Sequence, residues 1–462
     1  MKASTHERKR VPVPLIRRRL ASGRGAMEQP NVTGDGDAPL NLVFWVALAG
    51  TGVAAGLFGD LLMWVLFSVE HLVFGYRSGP MELAVMRDGA VRRVVPLVVA
   101  GALGGSAWYL LRRLTKGEKS EVDDSIWNGD SRLSFRRCAG TALISEVVIG
   151  MGASLGREQA PKVMAAASAS VFSRWLGLSD GQRRLLVACG AGAGLAAVYN
   201  VPLGGALFTI EVLLGSTALP AAVAAVACSG LATLTAWVYL PDHPTYLGIP
   251  AYNVSTTLVV WAFLAGPLVG LLSVGYIRLI GWVSYRGAKG AWSVPAMVGA
   301  FGVLGLVGLQ YPQLFGNGKD AAHDVFVGGG SLLLLLALFA LKPIVTALCL
   351  QSGASGGLFT PTMATGALLG GFLGLAWSHL WPGSPVGAYA LVGAAAMIGG
   401  SMQAPLAALA LVLELTGTAS NLMVPMIVAT VLATAVSRHV DGYSIYSARL
   451  PARHREPRAR AG

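Results

Sequence analysis

Glu158 stands between glycine and proline in an otherwise apolar part of the chain, in the run Gly156-Arg157-Glu158-Gln159-Ala160-Pro161. A second break, Gly356-Gly357-Leu358-Phe359-Thr360-Pro361, occupies the matching place in the second half, and Phe359 lies 201 residues beyond Glu158. Charge in hydrocarbon is expensive, so an intramembrane carboxylate points to function by default. Paired Gly/Pro breaks in two halves point to a transport site built from discontinuous helices. Helix N-termini offer unpaired N–H groups and about half a unit of positive charge, enough to attract an anion without a fixed counter-ion that would trap it. Glycine permits the tight entry, and proline near the first turn has no N–H to orphan. A carboxylate on one such terminus can take the anion's place and leave when protonated or displaced. That makes Glu158 a candidate gate and proton acceptor. The structural alternative is an N-cap, or an ion pair with Lys162 one turn further on.

These breaks must be held by helices that cross a membrane. Of 462 residues, 54% are hydrophobic and 13% charged, against about 25% charged in a typical soluble domain. Mean hydropathy is +0.60. Runs such as 42–67, 94–111, 258–277 and 331–350 are long enough to span a bilayer. The alternation expected of a membrane barrel is absent. The expected class is therefore an all-α polytopic membrane protein. Roughly fourteen apolar stretches are countable, several too short to span cleanly. Sixty glycines allow close, small-xxx-small helix contacts, as in 191–196 and 366–374. Short, glycine-rich helices need protein around them to satisfy freed backbone groups, which suits a transporter or channel.

The expected organisation is a first membrane half over 40–240 and a second over 241–447, joined near Pro241, Pro244 and Pro250. Residues 1–39 read as a basic, disordered N-terminal tail, and 448–462 as a short basic tail with no room for a soluble regulatory domain. Residues 1–24 lack the apolar core and cleavage pattern of a targeting peptide. The formal charge is +12. Lys2, Arg8, Lys9, Arg10, Arg17, Arg18, Arg19 and Arg24 crowd one end, and Arg449, Arg453, Arg455, Arg458 and Arg460 the other. The positive-inside rule then places both tails in the cytoplasm of a plasma-membrane protein. Basic tails beside anionic headgroups explain the charge better than nucleic-acid binding.

Other polar residues carry weaker signals. Glu146 could be a second proton site, but pairing with Arg136 or Arg137 is the plainer expectation. Glu414 reads as structural. Asp123, Asp124 and Asp130 read as solvated loop residues. Cys138, Cys189, Cys228 and Cys349 have no metal-ligand spacing, nor do His323 and His379, so neither metal nor cofactor is expected. An intramembrane serine protease using Ser355, or Ser378 near His379, lacks a nucleophile motif, and neighbouring residues face different sides of a helix. A cation transporter would want several carboxylates at the breaks, where Glu158 is nearly alone. No enzyme activity is expected.

Several motifs together resemble the ClC family of chloride channels and chloride/proton antiporters, of the prokaryotic type without C-terminal regulatory domains. Gly156-Arg157-Glu158 echoes the family's Gly-Lys/Arg-Glu-Gly-Pro, and Gly357-Leu358-Phe359-Thr360-Pro361 meets its Gly-x-Phe-x-Pro in full. The approach from Lys342-Pro343 through Thr346 to Ser352-Gly353-Ala354-Ser355-Gly356 is similar too. So are Ala197-Val198-Tyr199-Asn200-Val201-Pro202-Leu203-Gly204-Gly205, Glu211, Leu413-Glu414-Leu415-Thr416 and Tyr446-Ser447-Ala448. The motifs keep family order over about 110–450.

The resemblance implies two inverted halves of tilted, discontinuous helices and a homodimer with one anion pathway per subunit. It makes Glu158 the gate, with Arg157 and Gln159 beside it, and Leu358 and Phe359 the donors of anion-binding amides. Tyr446 becomes the hydroxyl on the central anion; without the resemblance it would read as an interfacial anchor. Three departures qualify this. Gln159 replaces a glycine and shifts the proline to Pro161, adding Lys162 nearby. The selectivity loop has no clear copy: an ungapped count lands on Gly117, with Ser120 as the nearest hydroxyl. The inner proton-relay position is Val212, which cannot carry a proton, although a water file or Glu211 could substitute. The expected function is passive conduction of chloride or a similar small anion; proton-coupled antiport is the alternative.

Overall fold

The computed structural model describes residues 40–76, 79–128 and 130–450. The expected tail at 1–39 lies outside them, as does all of the expected tail at 448–462 beyond residue 450. The first half runs α1 (Leu42–Phe74), α2 (Met81–Arg87), α3 (Ala90–Leu114), α4 (Val122–Asn128), α5 (Phe135–Gly150), α6 (Gln159–Trp175), α7 (Asp180–Tyr199), α8 (Pro202–Phe208) and α9 (Leu219–Ala236). A π-helical turn, Thr209–Leu214, extends α8. The second half runs α10 (Thr256–Tyr285), α11 (Ser293–Val307), α12 (Lys319–Phe326), α13 (Leu332–Gln351), α14 (Phe359–Ser378), α15 (Val386–Met402), α16 (Pro405–Thr416) and α17 (Met423–Val440). Among the described residues, eight helices are long and apolar enough to cross a membrane. The protein is an all-α, multi-pass membrane protein.

Local chemistry sets the helix ends. Asn41 caps α1 by accepting from the Phe44 amide at 2.9 Å, and Ser179 and Gln182 form a capping box on α7. The two breaks lie deep within the protein. Residues 151–170 are buried without interruption. The apolar window of α14 is 78% buried, against 33–50% in the other spanning helices. Interrupted backbone is therefore enclosed by protein, as lipid requires. At the α14–α15 crossing, a Cβ on Gly393 would meet the Gly366 carbonyl and the Gly370 backbone, each at 2.6 Å. Only glycine lets these two backbones approach so closely.

The two halves are inverted repeats, and one pattern makes this visible. α7 ends at Asn200 (φ +56°) and α15 at Gln403 (φ +60°), both left-handed caps. Each is followed by one residue and a proline that starts the next helix, and then by a glutamate eleven residues beyond the cap, Glu211 and Glu414. The two glutamates cap each other's helices. Glu211 accepts from the amides of Leu406 (3.2 Å) and Ala407 (2.6 Å) at the start of α16. Glu414 accepts from those of Leu203 (3.0 Å) and Gly204 (2.6 Å) at the start of α8. Carboxylates at helix N-termini satisfy orphan donors and the helix dipole together. The crossed arrangement thereby ties one half to the other.

Candidate functional site

The two breaks meet directly. Gly156 and Gly357 form an antiparallel bridge, with N···O distances of 2.8 Å and 2.7 Å. This places the N-terminus of α6 against the N-terminus of α14. Glu158 precedes α6, but its side chain does not cap that helix. It reaches across to α14, where Oε1 accepts from the Phe359 amide at 2.7 Å. Oε2 accepts from the hydroxyls of Tyr199 and Thr360, each at 3.2 Å. Those hydroxyls are 2.5 Å from one another. A Cβ on Gly156 or Gly357 would collide with the Glu158 carboxylate. Glycine at both breaks therefore makes the carboxylate's seat.

The neighbours of Glu158 take different positions. Leu358 is the N-cap residue of α14, and the donor to Glu158 is the next amide, that of Phe359. Gln159 is buried at the first position of α6. Arg157 is buried with its guanidinium between the rings of Phe67 (5.5 Å) and Tyr199 (5.1 Å). It forms part of the wall of a cavity of about 410 Å³, together with Phe67, Glu70, Lys319, Asp320 and His323. Through Arg157 this cavity borders the segment that carries the first break. At its rim the Glu82 amide donates to Asp320 at 3.0 Å. Burial, then the charges of Asp324 and Asp320, push the Glu82 carboxyl up to about 8. Burial, then Arg157, lowers the Lys319 ammonium to about 8.

On the other side lies Tyr446, buried and edge-on to Phe208 at 5.7 Å. Lys162 is not paired with Glu158. Its Nζ lies 2.7 Å from Asp123 Oδ1, over the rings of Tyr446 (4.7 Å) and Phe208 (5.4 Å). This corrects the expectation that Asp123 is solvated: it starts α4 and points inward to a buried lysine. Asp130, in contrast, is exposed and pairs with Lys119 and Arg132. Gly117 is in an exposed turn at φ +87°, with open space around it. Ser120 is half-buried in the loop before α4. Asp123, three positions after Ser120, meets the lysine that lies over Tyr446. A buried ion pair requires both partners at once. The 39 residues between Asp123 and Lys162 conceal the pair in the sequence.

Val212 is fully buried in the π-helical turn. Its neighbour Glu211 is occupied with the α16 amides. The expected pairing of Glu146 also fails. Arg137 donates to the Thr115 carbonyl at 2.9 Å. Glu146 is 0% exposed, and among the described residues neither carboxyl oxygen has a hydrogen-bond partner. The charges that act on it are those of Arg157, Glu158 and Glu70. Lys342, equally buried, shares its three donors among Ser154 Oγ (2.9 Å), Leu314 O (3.2 Å) and Gly316 O (2.9 Å), and so braces the segment before the first break.

Ser378 donates to the Gly374 carbonyl at 2.8 Å, and Ser355 meets Ser145 through its backbone oxygen. Neither serine is arranged with His379 as a nucleophile and base. His323 lies 2.7 Å from the Leu247 carbonyl and stacks on Tyr246. The four cysteines are buried and free. Among the described residues no group of three or more His, Cys, Asp or Glu side chains could hold a metal.

Comparison with known proteins agrees with this geometry. The family model described as the voltage gated chloride channel matches residues 100–438. A Yersinia pestis protein named H(+)/Cl(-) exchange transporter ClcA is 31% identical over 312 residues; the match spans 65% of this chain and 65% of that protein. A Citrobacter koseri protein named voltage-gated ClC-type chloride channel ClcB is 27% identical over 414 residues, 86% of this chain and 96% of that one. Among solved structures, a slow cyanobacterial Cl-/H+ antiporter has the same fold, with a TM-score of 0.76 at 18% identity over 88% of this chain and 97% of that one. A CLC-type fluoride/proton antiporter follows, with a TM-score of 0.70 at 19% identity and the same coverage. Two breaks joined at Gly156 and Gly357, a carboxylate seated across them and a family match over most of the membrane region lead to one conclusion: the chain belongs to the voltage-gated chloride channel (ClC) family.

Proposed function

We propose that the protein carries chloride or a similar small anion across the plasma membrane, down its electrochemical gradient, along a path from the Arg157 vestibule past Glu158 to Tyr446. The observation that carries this reading is the 2.7 Å hydrogen bond from the Phe359 amide to Glu158. The carboxylate fills a seat made by a helix N-terminus and two hydroxyls, all donors, which is the chemistry an anion requires. An anion arriving from either side competes for that seat, and protonation of Glu158 weakens its hold. Arg157 adds fixed positive charge at the vestibule end. Relatives named as an exchange transporter and as a channel both occur among those similar to this chain. Val212 at the inner relay position favours the passive form. No cofactor is invoked. The working unit is a homodimer with one pathway per subunit and both termini in the cytoplasm.

The experiment is a reversal-potential measurement on protein reconstituted in liposomes, with a chloride gradient and an opposing pH gradient. Passive conduction predicts a reversal potential at the chloride equilibrium value, unmoved by pH. A shift with the proton gradient rejects it for coupled exchange. One observation favours that second reading: Glu146 is a fully buried carboxyl without a hydrogen-bond partner, in the field of Arg157, Glu158 and Glu70.

A further inference from the structure

We propose that Lys162 and Asp123 form a second, charge-paired gate on the Tyr446 side of the pathway. Lys162 is the cationic ligand of the inner anion, and Asp123 is its built-in competitor. The proposal rests on the anion-transport reading above. Lys162 lies one turn into α6 from Glu158, and its amide bonds the Glu158 carbonyl at 3.2 Å. Its side chain is 4% exposed and points to the faces of Tyr446 and Phe208. Both Asp123 and Glu158 act electrostatically on Tyr446. The ammonium therefore lies against the tyrosine at which the proposed path ends, on the helix turn that follows the gating carboxylate.

A purely structural role explains this pair poorly. Burying an ion pair recovers little net stability, because desolvating both charges offsets their attraction. An ammonium also has three donors. Lys342 shows what a bracing lysine looks like in this fold, with all three donors on fixed oxygens. Lys162 has one hydrogen bond among the described residues, to Asp123, and otherwise faces aromatic rings. It keeps capacity for a further acceptor. The partners are also unequally placed, the Asp123 side chain being 15% exposed against 4% for Lys162. The carboxylate is the partner free to swing aside, while the ammonium stays in the path. In the resting pair the charges cancel and no net field attracts an anion. When Asp123 swings away, Lys162 becomes an anion ligand.

The test is chloride binding to the purified full-length protein in detergent, by calorimetry at constant ionic strength, together with chloride efflux from liposomes. Removing the competitor frees the ammonium, so Asp123→Asn lowers the chloride Kd by about tenfold, equivalent to about 1.4 kcal/mol. Removing the cation leaves Asp123 alone in the path, so Lys162→Gln raises the Kd by at least about tenfold. The double variant Asp123→Asn/Lys162→Gln falls between them. A pair that only braces the fold gives no such opposition. If Asp123→Asn binds chloride no more tightly than wild type, the proposal is overturned, whether or not Lys162→Gln folds. If wild-type protein neither binds nor passes chloride, the transport reading fails and this inference fails with it; the wild-type control separates the two failures.

Discussion

The amide of Phe359 and the carboxylate of Glu158 are 2.7 Å apart, although 201 residues separate them in the chain. The bond exists because Gly156 and Gly357 pair backbone to backbone and bring two helix N-termini together. The carboxylate then satisfies the first amide of α14, which no residue of its own helix can do. On the proposed function, this is the closed state of the gate. Removing the side chain empties the seat while leaving the bridge intact. Glu158→Ala is expected to raise chloride efflux from liposomes and to flatten its dependence on pH between acid and neutral conditions. Efflux that keeps the wild-type pH response would remove Glu158 as the gate.

The two hydroxyls on Glu158 Oε2 hold the closed state more than they hold the fold. Hydrogen bonds to a charged acceptor contribute about 1.5–3 kcal/mol each. Tyr199→Phe removes one donor but keeps the ring under Arg157 and against Phe359. It is expected to shift the gate towards open by roughly tenfold, seen as faster efflux at neutral pH with thermal stability little changed. Equal efflux in Tyr199→Phe and wild type would mean that the phenol does not hold the plug.

Much of this site was legible in the sequence, because intramembrane charge and Gly/Pro breaks are rare enough to stand out. Glu158 and the break at Phe359 stand out by local pattern, whereas Tyr446 stands out only through the family resemblance. The repeat was also there to be read, in the equal spacing from Asn200 to Glu211 and from Gln403 to Glu414. Local pattern did not say whose helix each glutamate caps. Both cap the opposite half, a contact across about 200 residues. Nor does local pattern pair Asp123, in α4, with Lys162, 39 residues later in the chain. The pairing of Glu146 fails because Arg136 and Arg137 lie in the first turn of the same helix, more than two turns away, and Arg137 turns to the Thr115 carbonyl.

Gly357 is a position where size alone sets the state of the gate. A methyl group there overlaps the Glu158 carboxylate rather than backbone. The side chain at risk is the movable one, so Gly357→Ala is expected to fold and to expel Glu158 from its seat. Its efflux should resemble that of Glu158→Ala, and the double variant should add little, as expected when two changes act through one contact. Additive increases in efflux would show that the glycine acts through some other route.

The vestibule rim sets a pH dependence of stability with a turning point. Glu82 has an ordinary value of 4.5 and is raised to about 8 in the fold, chiefly by burial and then by Asp324 and Asp320. Between those values the folded protein keeps a proton that the unfolded chain has released, so stability falls as pH rises, and the loss is complete above about 8. Lys319 is lowered from 10.5 to about 8, chiefly by burial and then by Arg157. Above about 8 the folded protein sheds a proton that the unfolded chain still holds, so its penalty is relieved towards 10.5. The two contributions meet near pH 8, where these groups make the fold least stable. Thermal unfolding across pH should show Glu82→Gln removing the decline below that point and Lys319→Met removing the recovery above it. Identical profiles for Glu82→Gln and wild type would exclude the carboxylate as its source.

Glu146 separates the two transport readings. A carboxyl at 0% exposure with no hydrogen bond is costly if ionised, and the positive charge nearest in effect is Arg157, already stacked between Phe67 and Tyr199. Such a group is retained for packing as a neutral acid, or because it exchanges a proton with a neighbour; Glu158 and Glu70 are the carboxylates whose charges reach it. Glu146→Gln keeps the shape and removes the titration. If conduction is passive, chloride efflux in this variant stays within about twofold of wild type, and the reversal potential still ignores pH, because a neutral isostere in a dry site changes little. If exchange is proton-coupled through Glu146, chloride movement persists while chloride-driven proton uptake by the liposomes is lost. Recording both ions in the same vesicles therefore assigns Glu146 to packing or to the proton route.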